Sequence, residues 1–195
     1  MYVNTTGVGK VPQGVRFGPE RIRRGDAILI NGPVGEHEAA IALARGAFRF
    51  RGRIESDCAP LHRLARRLVE AGGVRMMRDP TRGGVATTGN EIAERSGLGL
   101  VLDEAAIPVS RPVRAVAELL GLDPLYMANE GKLVAIASCA EAPKLLRLMR
   151  QGRYGKGSAV IGEVVDEPKG VWLRTGAGSL RRLMMLEAEQ LPRIC

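Results

Sequence analysis

Short apolar runs alternate with stretches of helical period from residue 27 onward, and this alternation limits the fold more than any other feature of the chain. AILI (27–30), VRMMR (74–78), LGLVLD (98–103) and KLVAIAS (132–138) read as strands, and AVIGEVV (159–165) with GVWLRT (170–175) reads as a strand pair. Between them, 36–47, 60–71, 85–96, 113–122 and 142–152 carry helical spacing. Pro60 suits a first turn, while Gly72, Gly97 and Gly152 mark stops. SLRRLMMLEAE reads as a last helix before the tail QLPRIC. Strands this apolar need cover on both faces, so the spacing predicts an α+β (mixed α/β) domain with helices packed on a mixed sheet. That domain is expected over 25–178. It follows a strand and connector in 1–24 and precedes a helix and tail in 179–195.

Composition removes several alternatives. Hydrophobic residues at 45% fill a core, and charged residues at 26% suit an ordinary surface, which excludes a disordered chain. No apolar run approaches the roughly 20 residues of a membrane span. MYVNTTGVGKV lacks a basic start followed by an apolar stretch, so no secretory signal is read and the expected address is the cytoplasm. The net charge of +8 raises nucleic-acid binding, yet Arg21, Arg45, Arg66, Arg114, Arg147 and Arg181 are spread along the chain without interleaved aromatics. Nucleic-acid and membrane partners are therefore not expected. Three cysteines do not suggest a disulfide framework. Cys58 and Cys139 read as small, partly buried side chains.

Three segments carry possible chemistry. RDPTRGG (78–84) lies between a strand and a helix. Its Gly83 and Gly84 permit close backbone approach, and Arg82 offers a fork-shaped donor suited to phosphate. The same spacing equally fits a tight turn in which Asp79 only caps the helix. ANEGK (128–132) could project Glu130 into a cleft as a general base, or leave it as a loop acid paired with Lys132. His37 and His62 are not spaced as metal ligands, and no metal site is expected. The tail EQLPRIC ends in Cys195. A chain end is normally exposed and mobile, a poor place for a packing cysteine. Arg193 favours its thiolate and the adjacent terminal carboxylate disfavours it, so a nearly ordinary thiol is expected, valued for reach.

These pieces together resemble the HypE family of hydrogenase maturation proteins. The resemblance rests on IESDCAPL (54–61), MRDPTRGGVATTGNEIAERSG (77–97), LDPLYMANEGKLVAIAS (122–138) and the terminal PRIC, with NTTGVG (4–9) and INGPVGEHEAAI (30–41) in support. It covers practically the whole chain. It implies the C-terminal domain of the aminoimidazole ribonucleotide synthetase-like fold, shared with selenophosphate synthetases, and a flexible tail.

The resemblance also implies an activity. HypF would transfer a carbamoyl group to Cys195, and ATP-dependent dehydration would turn that thiocarboxamide into a thiocyanate. The cyano group would then pass to iron on a HypC–HypD complex. Residue by residue, Cys195 is the implied carrier and Glu130 the implied proton acceptor, with Asn129 orienting Glu130 or substrate. Asp79, Thr81, Arg82, Gly83 and Gly84 would line the cleft near the phosphates. The family's amino-terminal domain, with its glycine-rich start, acidic metal and ATP ligands and catalytic lysine, has no counterpart in this sequence. ATP and Mg are thus implied for the family and no tight nucleotide site for this chain alone; a homodimer is implied for the full-length form. Two other readings compete: a non-catalytic carrier module presenting its tail to HypF or HypC–HypD, and an ATP-dependent synthetase of another substrate class. The PRIC ending speaks against the second.

Overall fold

In the computed structural model, which describes residues 4, 6, 8–11, 13–46 and 52–186, eleven of twelve strand and helix elements follow the predicted order. They are β1 (Ala27–Ile30), α1 (Glu36–Ala44), α2 (His62–Ala71), β2 (Val74–Arg78), α3 (Gly84–Ser96), β3 (Gly99–Asp103), α4 (Arg111–Leu120), β4 (Val134–Ala137), α5 (Ala142–Arg150), β5 (Ala159–Val165), β6 (Gly170–Arg174) and β7 (Leu180–Leu183). The strands form one mixed sheet in the order β2-β4-β1-β5-β3-β6-β7, parallel only between β3 and β6.

Side-chain alternation explains how the sheet is covered. On β1, Ile28 and Ile30 point into a core shared with Val85, Ile92 and Ala93 of α3. Ala27 and Leu29 face the other side and meet Leu64 and Leu68 of α2 and Leu145 and Met149 of α5. Burying a side chain such as Leu68 contributes about 1.5–3 kcal/mol. A third cluster joins α1 to α4 through Ala39, Val113, Val116 and Met127. Prolines sit in the first turns of α4 and α5, and glycines in the left-handed conformation end α3 (Gly97) and α4 (Gly121).

Several expectations are corrected. The last helix is not formed at its start, because 180–183 pair with β6 as an edge strand. Leu180, Leu183 and Met184 have helical spacing, but of β7 only Leu183 reaches the core, and six strands already formed offer β7 a ladder. The predicted β5–β6 pair is also absent: β3 lies between them, antiparallel to β5 and parallel to β6. Cys58 and Cys139 are exposed rather than partly buried. Of the strand and connector expected in 1–24, the described residues form only a 3-10 turn at Pro19–Arg21. Residues 187–195, with Cys195 and the rest of the expected helix and tail, lie outside the described residues.

Candidate functional site

Sheet register brings three of the singled-out loops together. Arg78 at the end of β2 and Ile30 at the end of β1 both pair with Val134 at the start of β4. The loops that follow β1 and β2 and the loop that precedes β4 therefore leave the same end of the sheet. They are NGPVGEH, RDPTRGG and ANEGK.

Asn129 ties these loops to one another. It is 1% exposed, and its Oδ1 accepts from the Gly35 N–H at 2.9 Å. Its Nδ2 donates to the carbonyls of Pro80 (3.0 Å) and Met127 (2.9 Å). The buried amide is thus occupied by backbone, which gives Asn129 a clamping job between loops. Asn31 works the same way from below: its Nδ2 donates to the Gly131 and Tyr154 carbonyls, and its Oδ1 accepts from Leu133 N at 2.7 Å. Glu38, at the start of α1, accepts from Ala128 N at 2.6 Å.

The RDPTRGG loop leaves Asp79 and Arg82 exposed and Thr81 and Gly83 half-buried, with Gly84 buried beneath them. The alternative in which Asp79 caps α3 is not seen: Gly83 occupies the cap position and no side chain bonds there. Thr88 instead donates its hydroxyl to the Asp79 carbonyl at 3.4 Å. Gly84 has φ +59°, and a Cβ there would lie 2.5 Å from the Leu125 carbonyl oxygen and 2.7 Å from that of Met127. The glycine therefore lets α3 press against the segment leading to ANEGK, and Ala86 N donates to the Leu125 carbonyl at 2.9 Å. Gly97 offers a control, since it has φ +67° but open space around its Cα. Gly84→Ala is expected to cost more than about 2 kcal/mol through strain and overlap together, and Gly97→Ala about 1 kcal/mol through strain alone. Thermal melts of the two variants check this; equal losses would remove the packing explanation.

Glu130 is exposed at the tip of its loop, and its side chain does not take up Lys132. Lys132 Nζ instead lies 2.9 Å from Asp57 Oδ2 and 3.0 Å from Glu36 Oε2, with the lysine and Asp57 side chains 7% and 2% exposed. Asp57 also accepts the backbone N–H groups of Glu130 (3.1 Å) and Gly131 (3.2 Å). The segment carrying Asp57 is pressed so closely that a Cβ on Gly131 would overlap the Asp57 carbonyl. Sequence reasoning did not single out Asp57, Glu36 or Lys132 as site members. Their positions, far apart in the chain, meet only through the sheet register, although each lies inside a segment that carried the family resemblance. Nearby, His37 bonds Ser56 at 2.8 Å, while His62 stands apart at the start of α2.

On the far side of this loop, Tyr126 donates its hydroxyl to the Met184 carbonyl at 3.0 Å, anchoring the chain just after β7. Burial, helped by Asp123, raises the Tyr126 pKa above the ordinary phenol value and keeps it a donor. Among the described residues no group of three His, Cys, Asp or Glu side chains is placed to hold a metal ion, and no helix is long and apolar enough to cross a membrane.

The assembled site is an exposed carboxylate on a loop whose backbone is held on every side. Beside it runs a strand-to-helix turn presenting Asp79, Thr81 and Arg82.

Comparison with known proteins agrees with this architecture. The family described as AIR synthase related protein, C-terminal domain, matches residues 23–173. Carbamoyl dehydratase HypE of Cupriavidus necator is 52% identical over all of this chain, which spans 56% of that relative's length. The crystal structure of Escherichia coli HypE superposes with a TM-score of 0.91 at 42% identity, covering 96% of this chain and 58% of that one. Similar structures include HypE in complex with ATP (TM-score 0.86, 43% identity, 92% of this chain and 55% of that one) and a HypE–HypF complex (0.84, 38%, 88% and 56%).

Proposed function

Because the chain belongs to the AIR synthase related family, in its C-terminal domain, and is similar along its whole length to HypE, we propose that it works in [NiFe]-hydrogenase maturation as the cysteine-bearing portion of a carbamoyl dehydratase. The observation that carries the reading is the 52% identity over the full chain with a protein of that name, on a fold that holds Glu130 exposed beside the RDPTRGG turn. The chain spans little more than half the length of the relatives it matches, so the activity belongs to the larger unit they represent.

Within that unit the steps divide by chemistry. The Cys195 thiolate attacks a carbamoyl carbon delivered by HypF, forming an S–C bond and releasing the donor's leaving group. An amide oxygen leaves poorly, and the role of ATP is to convert it into a phosphate ester that departs readily. Two protons must then leave the nitrogen as the C≡N bond forms, and Glu130 is the base assigned to take one. Its backbone is fixed while its carboxylate stays in the open, a suitable arrangement for meeting a group carried in on a tail. Asp79, Thr81 and Arg82 are the residues assigned to line the cleft near the phosphates, and the exposure of Asp79 and Arg82 on the RDPTRGG turn supports this. Among the described residues no three His, Cys, Asp or Glu side chains are placed to hold a metal ion, and Mg is proposed only as the companion of ATP in the complete protein. Gly84 serves the same turn by letting α3 start close to the 125–127 backbone, and Gly83 by leaving room for the Thr87 side chain. Asn129 holds the two loops at their spacing. Closing the site over the thiocarboxamide would slow its hydrolysis.

The HypE–HypF and HypE–ATP structures support HypF as donor and ATP as co-substrate. HypC–HypD as cyanide acceptor, a homodimer of the complete protein, a cytoplasmic setting and a domain spanning 25–178 complete the proposal. The test incubates the chain with HypF, carbamoyl phosphate and ATP and reads its mass. The expected result is a gain of one carbamoyl group with no later loss of water, because dehydration needs the ATP-binding half. Absence of any gain would overturn the carrier role. Loss of water by the chain alone, or tight nucleotide binding, would overturn the division of labour.

A further inference from the structure

We infer that Asp57 is the positioning residue for Glu130, with Lys132 as its buried counter-charge; this inference rests on the reading of Glu130 as the proton acceptor. Asp57 receives three donors on one carboxylate. Its Oδ1 takes the Glu130 N–H at 3.1 Å, and its Oδ2 takes the Gly131 N–H at 3.2 Å and Lys132 Nζ at 2.9 Å. The donors are three consecutive residues of one loop, so a single side chain from a distant segment fixes the direction of the backbone that bears the base.

The energetics favour this arrangement over an incidental contact. A carboxylate that is 2% exposed is costly unless it is paired and hydrogen-bonded, and here every partner comes from the loop it holds. Lys132 is shared with Glu36 at 3.0 Å, which links the same carboxylate to the first turn of α1. Glu38, two residues further on in the same turn, holds the other end of the loop through Ala128 N. The loop is therefore pinned at Ala128 and at Glu130–Gly131 from two separate segments. The side chain between the pins that is left exposed is Glu130.

Backbone amides at an exposed loop tip ordinarily exchange with solvent freely. Those of Glu130 and Gly131 are expected to be protected in the chain as it stands, and free exchange there would overturn the inference without any mutation. Asp57→Asn keeps the size but removes the charge, and is expected to raise exchange at both amides by about tenfold or more while the β-strand amides stay protected.

The second readout is dehydration of carbamoylated Cys195 in the complete protein, ATP-binding half included. Asp57→Asn is expected to lower kcat by about 10- to 100-fold with KM for ATP unchanged, since a small misplacement of a reacting group costs that much. In a Glu130→Gln background the same substitution should add nothing, because its effect passes through Glu130. An equal further loss in that background would assign Asp57 a purely structural role. If Glu130→Gln by itself leaves dehydration intact, the assignment of the base fails instead, and the amide-exchange result stands or falls separately.

Discussion

Cys195→Ala is expected to abolish carbamoylation of the chain, reducing the HypF-dependent mass gain to background. The thiol is not chosen for unusual chemistry, since Cys58 and Cys139 are exposed as well. Reach is what the proposed carrier role asks of it. Cys58 is held in a fixed segment: its N–H donates to the Ser56 hydroxyl at 3.2 Å, and its neighbour Asp57 is locked to the ANEGK loop. Cys139 lies in the turn between β4 and α5, where its carbonyl accepts from Ala142 N at 3.3 Å. Neither can enter a partner's active site without unfolding its surroundings. Cys195, behind Pro192 and Arg193, lies outside the described residues, and its part as carrier is the one the proposed function gives it. Intact-mass measurement of Cys195→Ala beside a Cys58→Ala/Cys139→Ala double variant decides the matter. The double variant should gain as the unaltered chain does. A gain that survives Cys195→Ala would end the carrier interpretation.

Lys132→Ala is expected to cost about 3–5 kcal/mol of stability, the range measured when one partner of a buried ion pair is removed. The reason lies in what remains. The Asp57 carboxylate, its side chain 2% exposed, would keep two backbone donors but lose the opposing charge of Lys132, and its desolvation penalty would stand uncompensated. Glu36 is 27% exposed and can turn to water, so it adds little to the loss. For a chain of this size the expected drop in melting temperature is about 6–20 °C. Arg66→Ala is the contrasting case. The Arg66–Glu70 pair has side chains 81% and 62% exposed, and such pairs contribute about 0.3–0.5 kcal/mol. Combining Lys132→Met with Asp57→Asn should recover much of the loss, because the buried charge goes with its partner. Denaturation of the three variants measures all of this, and a Lys132→Ala loss no larger than that of Arg66→Ala would sink the explanation.

Much of the framework was legible in the sequence. VRMMR and AVIGEVV form strands over the predicted bounds, because each is a short apolar run closed by glycine or polar residues. The helices were legible for the complementary reason, that Gly97 stops α3 by chain geometry alone, although the helix expected over 113–122 in fact ends at Leu120 before Gly121. SLRRLMM was misread because leucines three apart fit a helix turn as well as an edge strand. Pairing with β6 settles the choice, and no local signal reports it. The β5–β6 pair was wrong for a topological reason: sequence neighbours usually pair, and here β3 takes the place between them. The site was legible by halves. Glu130 and the RDPTRGG turn stand out by residue type, whereas the Lys132 partnership does not. Adjacency in sequence suggested Glu130, and the fold supplies Glu36 and Asp57.

The place of β1 in the sheet has a consequence for biosynthesis. Its two neighbours, β4 and β5, begin at Val134 and Ala159, so a fully buried strand has no hydrogen-bonding partner until the long stretch from Ile30 to Val134 has been translated. At about 5–20 residues per second, the AILI segment waits on the order of 5–20 s with its backbone unpaired. During that interval it is a template for pairing with other nascent copies. Yield from rapid overexpression should therefore depend on chaperone supply and on temperature more than the stability of the finished sheet would suggest.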